Sequence, residues 1–466
     1  MSSVVEFDRR IVAAVADVAR PQADVKLSPD LEHLPGESGL WQGIRNVVQV
    51  SRYGATTLSA QVARYGPVYR HMLGPEPCVF VADPDLHTLI SRNEDKAWSA
   101  SLAYRKLFSG VMPGVQALDF VNTFDFEPHR DVRKALNHAF SPAALSGYFE
   151  IAARTYQPAI DRWLQQGRVS FKAEMRRLIA ELAGRIFMGM QDPREAEQLD
   201  RATADVWRSL TVFVKHPWFS IAWRNALRGS EMLHAGLTRE MPARRAHGGQ
   251  DLFSRLCQAQ PELLDEAGLV RLVVGIMLAA FDTTSLGITS MGYLLAKYPV
   301  WQERLREEAL SVPRAELRYE HMKPLVQHEW VWKETLRLYP VAMGFGRVAL
   351  RDTELAGHPI PAGTFLSAIV APVLRDARYY PNPLRFDPER FSPARAEDAR
   401  RGVFLPFGTG PHVCLGMPLA NFEAKLFWQM VLSRARIRLA RNYEARHTIT
   451  PIGSVSGSVD LVIERI

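Results

Sequence analysis

One segment of the 466-residue chain carries chemistry in its spacing: Phe407-Gly-Thr-Gly-Pro-His412-Val-Cys414-Leu-Gly416. A thiolate serves as a metal ligand only while it stays deprotonated and shielded from water. The two glycines ahead of Cys414 let the backbone fold tightly and turn N–H groups toward the sulfur. The helical pattern that follows, LGMPLANFEAKLF, puts the positive end of a helix dipole beside it, which favours the anion. Phe407 can cover the sulfur and keep water out. Cys414 therefore reads as a held metal ligand. Cys78, in the strand-like EPCVFV, and Cys257, in a helical stretch, lack such surroundings and read as ordinary thiols.

Three other constellations stand out. The run Ala279-Ala280-Phe281-Asp282-Thr283-Thr284 sets an acid and hydroxyls inside the apolar stretch 273–296, where they are costly unless they serve something. Thr283 can bond back to the carbonyl of Ala279 and open the helix slightly beside small side chains. Glu334-Thr-Leu-Arg337 puts a carboxylate and a guanidinium on one helix face. The same spacing recurs at Glu6, Glu127, Glu174, Glu303 and Glu397, where a surface ion pair is expected. Glu334 differs in being followed by Leu-Tyr-Pro340 and a strand segment containing Arg347. Finally, His129-x-x-x-Arg133 sets two cationic or hydrogen-bonding groups one turn apart on a predicted helix.

The elements that must position these residues follow from periodicity. A helix is expected up to about Tyr65, then β-rich runs VYRHML and CVFVAD separated by Gly74-Pro75. Helical periodicity dominates from Glu127 to about Lys333, broken at His216-Pro217 and at 246–249. After Pro340 the segment RVALRDTELAGHPIPAGTFLSAIVAPV reads as strands and hairpins. An irregular stretch, 381–393, leads to the cysteine loop and a last long helix, 415–434. A final pair of short strands flanks 453–457. The fold class expected is mainly α with small accessory β-sheets. No linker or repeat marks a boundary, so residues 1–466 are expected to form a single domain, with 1–60 a lead-in that carries no membrane anchor.

Composition excludes some functions. The 57 Lys and Arg against 50 Asp and Glu give a formal charge of +7, spread without a block, so nucleic-acid binding is not expected. Three distant cysteines make no disulfide framework, and a reducing cytoplasm fits them. The stretch 273–296 is apolar enough for a membrane span, but its polar centre sits where lipid tolerates it least, so a buried helix is expected.

The segment F-G-x-G-x-H-x-C-x-G resembles the ligand loop of the cytochrome P-450 superfamily at all six specified positions; that superfamily is the standard example of haem held by a Cys thiolate. The other motifs resemble the family's in the same order, over roughly residues 60 to 460. The resemblance implies the cytochrome P-450 fold, with haem b between a long central helix and the cysteine loop. Cys414 would be the axial ligand, with Phe407 and Gly416 in its loop. His129, Arg133, Arg347 and His412 match positions that hold the haem propionates. Glu334 and Arg337 match a buried pair that shares an arginine from a Pro-rich segment, here Arg390 of Phe386-Asp-Pro-Glu-Arg390-Phe391, bidentate on the pair. The run around Thr283 resembles the oxygen-activation segment, in which Asp282 and Thr283 relay protons; Ala280 stands where the family usually has Gly, which leaves the width of the groove open.

The activity implied is reductive activation of dioxygen and insertion of one oxygen atom into a hydrophobic small molecule, by hydroxylation or epoxidation. No flavin, NAD or ferredoxin-type motif is present, so a ferredoxin or flavodoxin with its reductase is the implied electron donor, docking on the Cys414 side of a monomer. Cavity-lining candidates are 107–120, 207–223, 341–345 and 452–456, with Ala279, Ala280, Phe281 beside the iron, Met343 and Phe345. A terpenoid or steroid is favoured over a fatty acid or macrolactone. Two readings compete: a peroxide-driven haem-thiolate oxidase, which generally lacks the acid–Thr pair, and a non-enzymatic haem sensor or ligand carrier, which would need an output domain.

Overall fold

A computed structural model describes residues 30–73, 76–108, 121–190, 192–209, 218–259, 265–312, 317–450 and 452–466. The first 29 residues of the expected lead-in, the Gly74-Pro75 turn and the His216-Pro217 break lie outside it. The described residues open with α1 (Leu40–Tyr65), the hairpin strands β1 (Val68–Leu73) and β2 (Glu76–Val81), and α2 (Pro84–Arg92). The short β3 (Trp98–Ser99) leads into α3 (Ala100–Phe108). A run of helices follows: α4 (Phe126–Asn137), α5 (Pro142–Gln166), then after β4 (Arg168–Ser170) α6 (Phe171–Met188), α7 (Pro193–Ser209), α8 (Ile221–His247), α9 (Leu252–Ala259), α10 (Glu266–Lys297), α11 (Pro299–Leu310) and α12 (Val326–Leu338). Strands β5 (Gly344–Ala349), β6 (Thr353–Leu355), β7 (His358–Ile360) and β8 (Phe365–Ile369) come next. Helix α13 (Met417–Leu432) and strands β9 (Ala435–Leu439), β10 (His447–Ile449), β11 (Gly453–Val455) and β12 (Asp460–Arg465) close the chain.

The fold is mainly helical with small sheets, as the periodicity implies. One sheet of five strands, ordered β1-β2-β8-β5-β3, sits beside the helical body; β2 and β8 run parallel and its other pairs antiparallel. The region after Pro340 forms strands where alternation predicts them, with Gly344 opposite Ile369 in the β5–β8 ladder. The C-terminal strands are more than the expected pair: β12 lies between β4 and β9, closing the chain end against the middle of the protein.

Helix α10 is apolar around most of its circumference because most of its residues are buried. Among the described helices it is the one long and apolar enough to cross a membrane, and it runs through the main hydrophobic core. Asp265 caps its start by accepting from Gly268 N at 2.6 Å. Two glycines set what can approach it. A Cβ at Gly287 would stand 2.6 Å from Trp332 of α12, and one at Gly292 would stand 2.9 Å from Trp428 of α13. Their missing side chains let the helix that follows the cysteine loop, and the helix carrying Glu334, seat directly against α10.

Candidate active site

Cys414 lies three residues before α13, at the end of a loop closed by its own N–H donating to Phe407 O at 2.9 Å. Gly408 and Gly410 adopt φ +71° and +70°, the left-handed region that a side chain resists. A Cβ on Gly410 would also sit 2.5 Å from Ser91 O of α2, so the loop packs flush on that helix. The N–H groups of Gly416 and Met417 donate to the sulfur. Burial pushes the thiol's pKa up; the Gly416 donor, the Arg133 charge and the Met417 donor oppose it. The residue's surface is nevertheless open, as it is where a side chain faces a hollow.

Helix α10 carries an open face of its own. Most of its central residues are buried, yet Ala279 is exposed and Ile276, Ala280, Thr283 and Leu286 are partly so. These positions share one helical face. Thr283 Oγ1 donates to Ala279 O at 2.7 Å, and Thr284 Oγ1 to Ala280 O at 2.9 Å, so two consecutive carbonyls are drawn toward side chains. The back-bond to Ala279 is the one the residue types predict, and α10 stays continuous past Ala280. Phe281 corrects an expectation. About 200° around the helix from Ala279, it is fully buried in the core under the Arg176 guanidinium, 5.6 Å from its ring centroid, and does not face the hollow.

Asp282 also turns aside. Its carboxylate is buried against α6, with Arg176 Nη1 at 3.1 Å from Oδ1, while Arg176 Nε donates to Asp200 of α7 at 2.6 Å. Burial raises the Asp282 pKa to about 6, opposed by Arg176 and reinforced by Asp200. Thr283 and Asp282 are thus neighbours in sequence that present different faces.

Four basic or potentially basic groups converge near the sulfur. The His129 and His412 rings stack with centroids 3.8 Å apart. His129 Nε2 and His412 Nδ1 are buried without a hydrogen-bond partner. Burial, then the Arg133 and Arg347 charges, lower the His129 pKa to about 4, and His412 is lowered further by burial, Arg347, His129 and Arg133. Arg347 is 3% exposed, gives Nη1 to Gly346 O at 2.7 Å and lies over the Phe345 ring. Neither Arg133 nor Arg347 forms an ion pair with a carboxylate among the described residues. Clustered buried donors and cations of this kind are unfavourable until an anion joins them. They fit a group that would bring carboxylates to them, as haem would through its propionates, with Cys414 as the residue that would take its iron. Sequence reasoning missed two groups here: Tyr104 of α3, close enough to feel both Arg347 and Cys414, and Asp125, buried near Arg347 and accepting from Ala100 N at 2.8 Å. No spacing pattern points to either.

Glu334 and Arg337 are wholly buried and paired twice, at 2.6 and 2.9 Å. Arg337 also donates to the carbonyls of Leu374, Pro383 and Arg385, and Asp387 N–H donates to Glu334. Arg390 is not bidentate on the pair: its Nε stays 3.5 Å from Glu334, and it bonds Glu397 and Asn382 O instead. Backbone donors and acceptors of the Pro-rich stretch complete the pair where a second arginine was expected. Glu397 departs from its expected surface pairing with Arg400, since it joins Arg390 and Arg395. The Glu127–Arg130, Glu174–Arg177 and Glu303–Arg306 pairs do form; Glu6 is outside the described residues.

Of the cavity-lining segments, 109–120 and 210–217 lie outside the described residues. Met343 and Phe345 are half-buried, and Gly453 N donates to Val341 O at 2.8 Å, so the segments 341–345 and 452–456 do come together.

A mainly helical fold with a cysteine sulfur held by backbone N–H groups of a glycine loop, beside buried basic groups without a partner, has the make-up of a haem-thiolate protein. The Cytochrome P450 family model matches residues 44–455, and the chain belongs to that family; it is a cytochrome P450 monooxygenase, with the haem-thiolate cofactor that membership implies. It is 29% identical over 426 residues to the putative cytochrome P450 136 of Mycobacterium tuberculosis, covering 89% of this chain and 85% of that one. It is 29% identical over 328 residues to the cyclooctat-9-en-7-ol 5-monooxygenase of Streptomyces melanosporofaciens, covering 67% and 71%. The retinoic acid-bound cyanobacterial CYP120A1 superposes with a TM-score of 0.81 at 22% identity, over 90% of this chain and 96% of that one, which shows the shared fold.

Proposed function

We propose that this single-domain monooxygenase hydroxylates or epoxidises a terpenoid- or steroid-sized hydrophobic molecule, using haem b held by Cys414. The observation that carries the site is the Cys414 sulfur, bonded by two backbone N–H groups near buried imidazole nitrogens that have no partner. Haem bound there supplies the activation of dioxygen by two electrons and thiolate donation. Gly416 and Met417 hold the sulfur anion, and Phe407 closes its loop. His129, Arg133, Arg347 and His412 orient the group through its carboxylates, while Glu334, Arg337 and Arg390 fix the stretch that leads into the ligand loop. Thr283 presents a hydroxyl to the hollow, and Asp282 holds the proton that passes to it.

The substrate class rests on the small apolar residues Ala279 and Ala280 on the open face of α10, and on two similar proteins named for cyclooctat-9-en-7-ol and for bound retinoic acid. Electrons come from a ferredoxin or flavodoxin with its reductase, docking on the Cys414 side of a cytoplasmic monomer. The test is turnover of a terpenoid and steroid panel by haem-loaded protein with a ferredoxin, a reductase and ¹⁸O₂. One ¹⁸O atom in the product is expected. Equal product from hydrogen peroxide alone would install the peroxide-driven reading, and a bound ligand never oxidised despite full reduction would install the carrier.

A further inference from the structure

A cleft of about 830 Å³ opens between α5, α6 and the start of α7, and none of its lining residues belongs to the site described above. Five arginines line it, Arg154, Arg162, Arg177, Arg185 and Arg194, against three glutamates. The buried Ala159 and Leu178 give it an apolar floor. Each glutamate is already taken. Glu174 accepts from Arg162 at 2.5 Å and from Trp163 Nε1 at 3.2 Å, and has Arg177 at 3.3 Å. Glu181 accepts two hydrogen bonds from Arg185, and Glu197 bonds Arg201, which is outside the lining.

Two guanidiniums are left over. Arg154 meets no carboxylate among the described residues, and Arg194 has only Asp192 at 3.7 Å, with its own side chain 89% exposed. The Arg162–Glu174 pair closes one end of the cleft; Arg154 stands two turns along α5 from it, about 12 Å away. Pro158 lines the cleft from within α5 and has no N–H, so Arg154 O lacks the donor four residues on. Unpaired guanidiniums beside an open carbonyl suit a ligand that carries both an anionic group and a hydroxyl. A guanidinium fork matches phosphate oxygens two at a time. A volume within roughly 300–1,000 Å³ holds a small organic molecule, more than a bare phosphate fills.

We propose that this cleft binds an organic phosphate of nucleotide size, with its phosphates on Arg154 and Arg194 and its body over Ala159 and Leu178. The site uses neither haem nor the oxidised substrate, so it stands apart from the monooxygenase reading. Isothermal titration of haem-loaded protein, in which haem fills the cradle of Arg133 and Arg347, tests it with adenosine diphosphate and pyrophosphate as probes. One adenosine diphosphate per chain is expected, bound more tightly than pyrophosphate and weakened by added salt. Arg154→Gln and Arg194→Gln should each weaken it about tenfold, as the loss of one charge-assisted hydrogen bond does. Both side chains are exposed, so neither change threatens the fold. Arg351→Gln, at an exposed pair elsewhere, should leave the affinity as in the wild type. Absence of saturable adenosine diphosphate binding at millimolar concentration overturns the proposal, and so does binding that both cleft variants leave unchanged. Pyrophosphate bound as tightly as adenosine diphosphate would reduce the cleft to a simple anion site and overturn the organic ligand.

Discussion

Replacing Arg337 with Leu asks how much of the site rests on one guanidinium remote from the chemistry. The change removes both bonds to Glu334 and the donors to three carbonyls, at Leu374, Pro383 and Arg385. Glu334 is left fully buried with the Asp387 N–H and an Arg390 contact at 3.5 Å. Breaking a buried pair by removing one partner costs about 3–5 kcal/mol. Each stranded carbonyl adds on the order of 1–3 kcal/mol unless water reaches it, and these losses do not simply add. About 5 kcal/mol is thus a fair expectation, comparable to the whole stability of many domains at roughly 5–15 kcal/mol. The matched control is Arg351→Leu, which breaks an exposed 2.8 Å pair with Asp95 and should cost about 0–1 kcal/mol. Urea titration of haem-loaded protein, followed by Soret absorbance and far-ultraviolet circular dichroism, measures both. Because the stranded groups hold the stretch that feeds the cysteine loop, haem should leave at lower urea than the helices melt. A midpoint for Arg337→Leu no lower than for Arg351→Leu would refute the reasoning.

Cys414→Ser should abolish the strongly red-shifted carbon monoxide band of the reduced enzyme; a variant that keeps the band has another ligand. Arg347→Leu should weaken haem retention in transfer to apomyoglobin, whereas Arg130→Leu, an exposed change on the same helix as His129, should not. Thr283→Ala should keep haem and divert electrons to peroxide, read as lower product per electron consumed. The Asp282 carboxyl lies near pH 6, above its ordinary value, because burial disfavours the anion. Its stabilising contribution is present below about pH 4, the ordinary carboxylate value, and is lost as pH rises through about 6. Asp282→Asn should flatten that fall in a stability–pH curve.

The residues of the cysteine loop were legible because their roles are local. Gly408 and Gly410 need left-handed φ, Cys414 needs donors from the next turn, and all three lie within a few residues of one another. The Thr283 back-bond was legible for the same reason, reaching only four residues back. The helical body and the β5–β8 strands followed from periodicity, since burial on one face writes a repeat into the sequence.

What the sequence by itself determined, then, is the cysteine loop, the family and the order of the elements, each written in local spacing and periodicity. Only tertiary packing decided which way the neighbours face and which distant groups meet. It turned Phe281 into the core, gave Asp282 to Arg176 and Asp200, brought Tyr104 and Asp125 to the cradle, and made backbone groups of the Pro-rich stretch the partners of Glu334 and Arg337. These are contacts between helices and loops separated by tens to hundreds of residues. They are chosen by which side chains can be buried together with their charges and hydrogen bonds satisfied, and no local spacing encodes that choice.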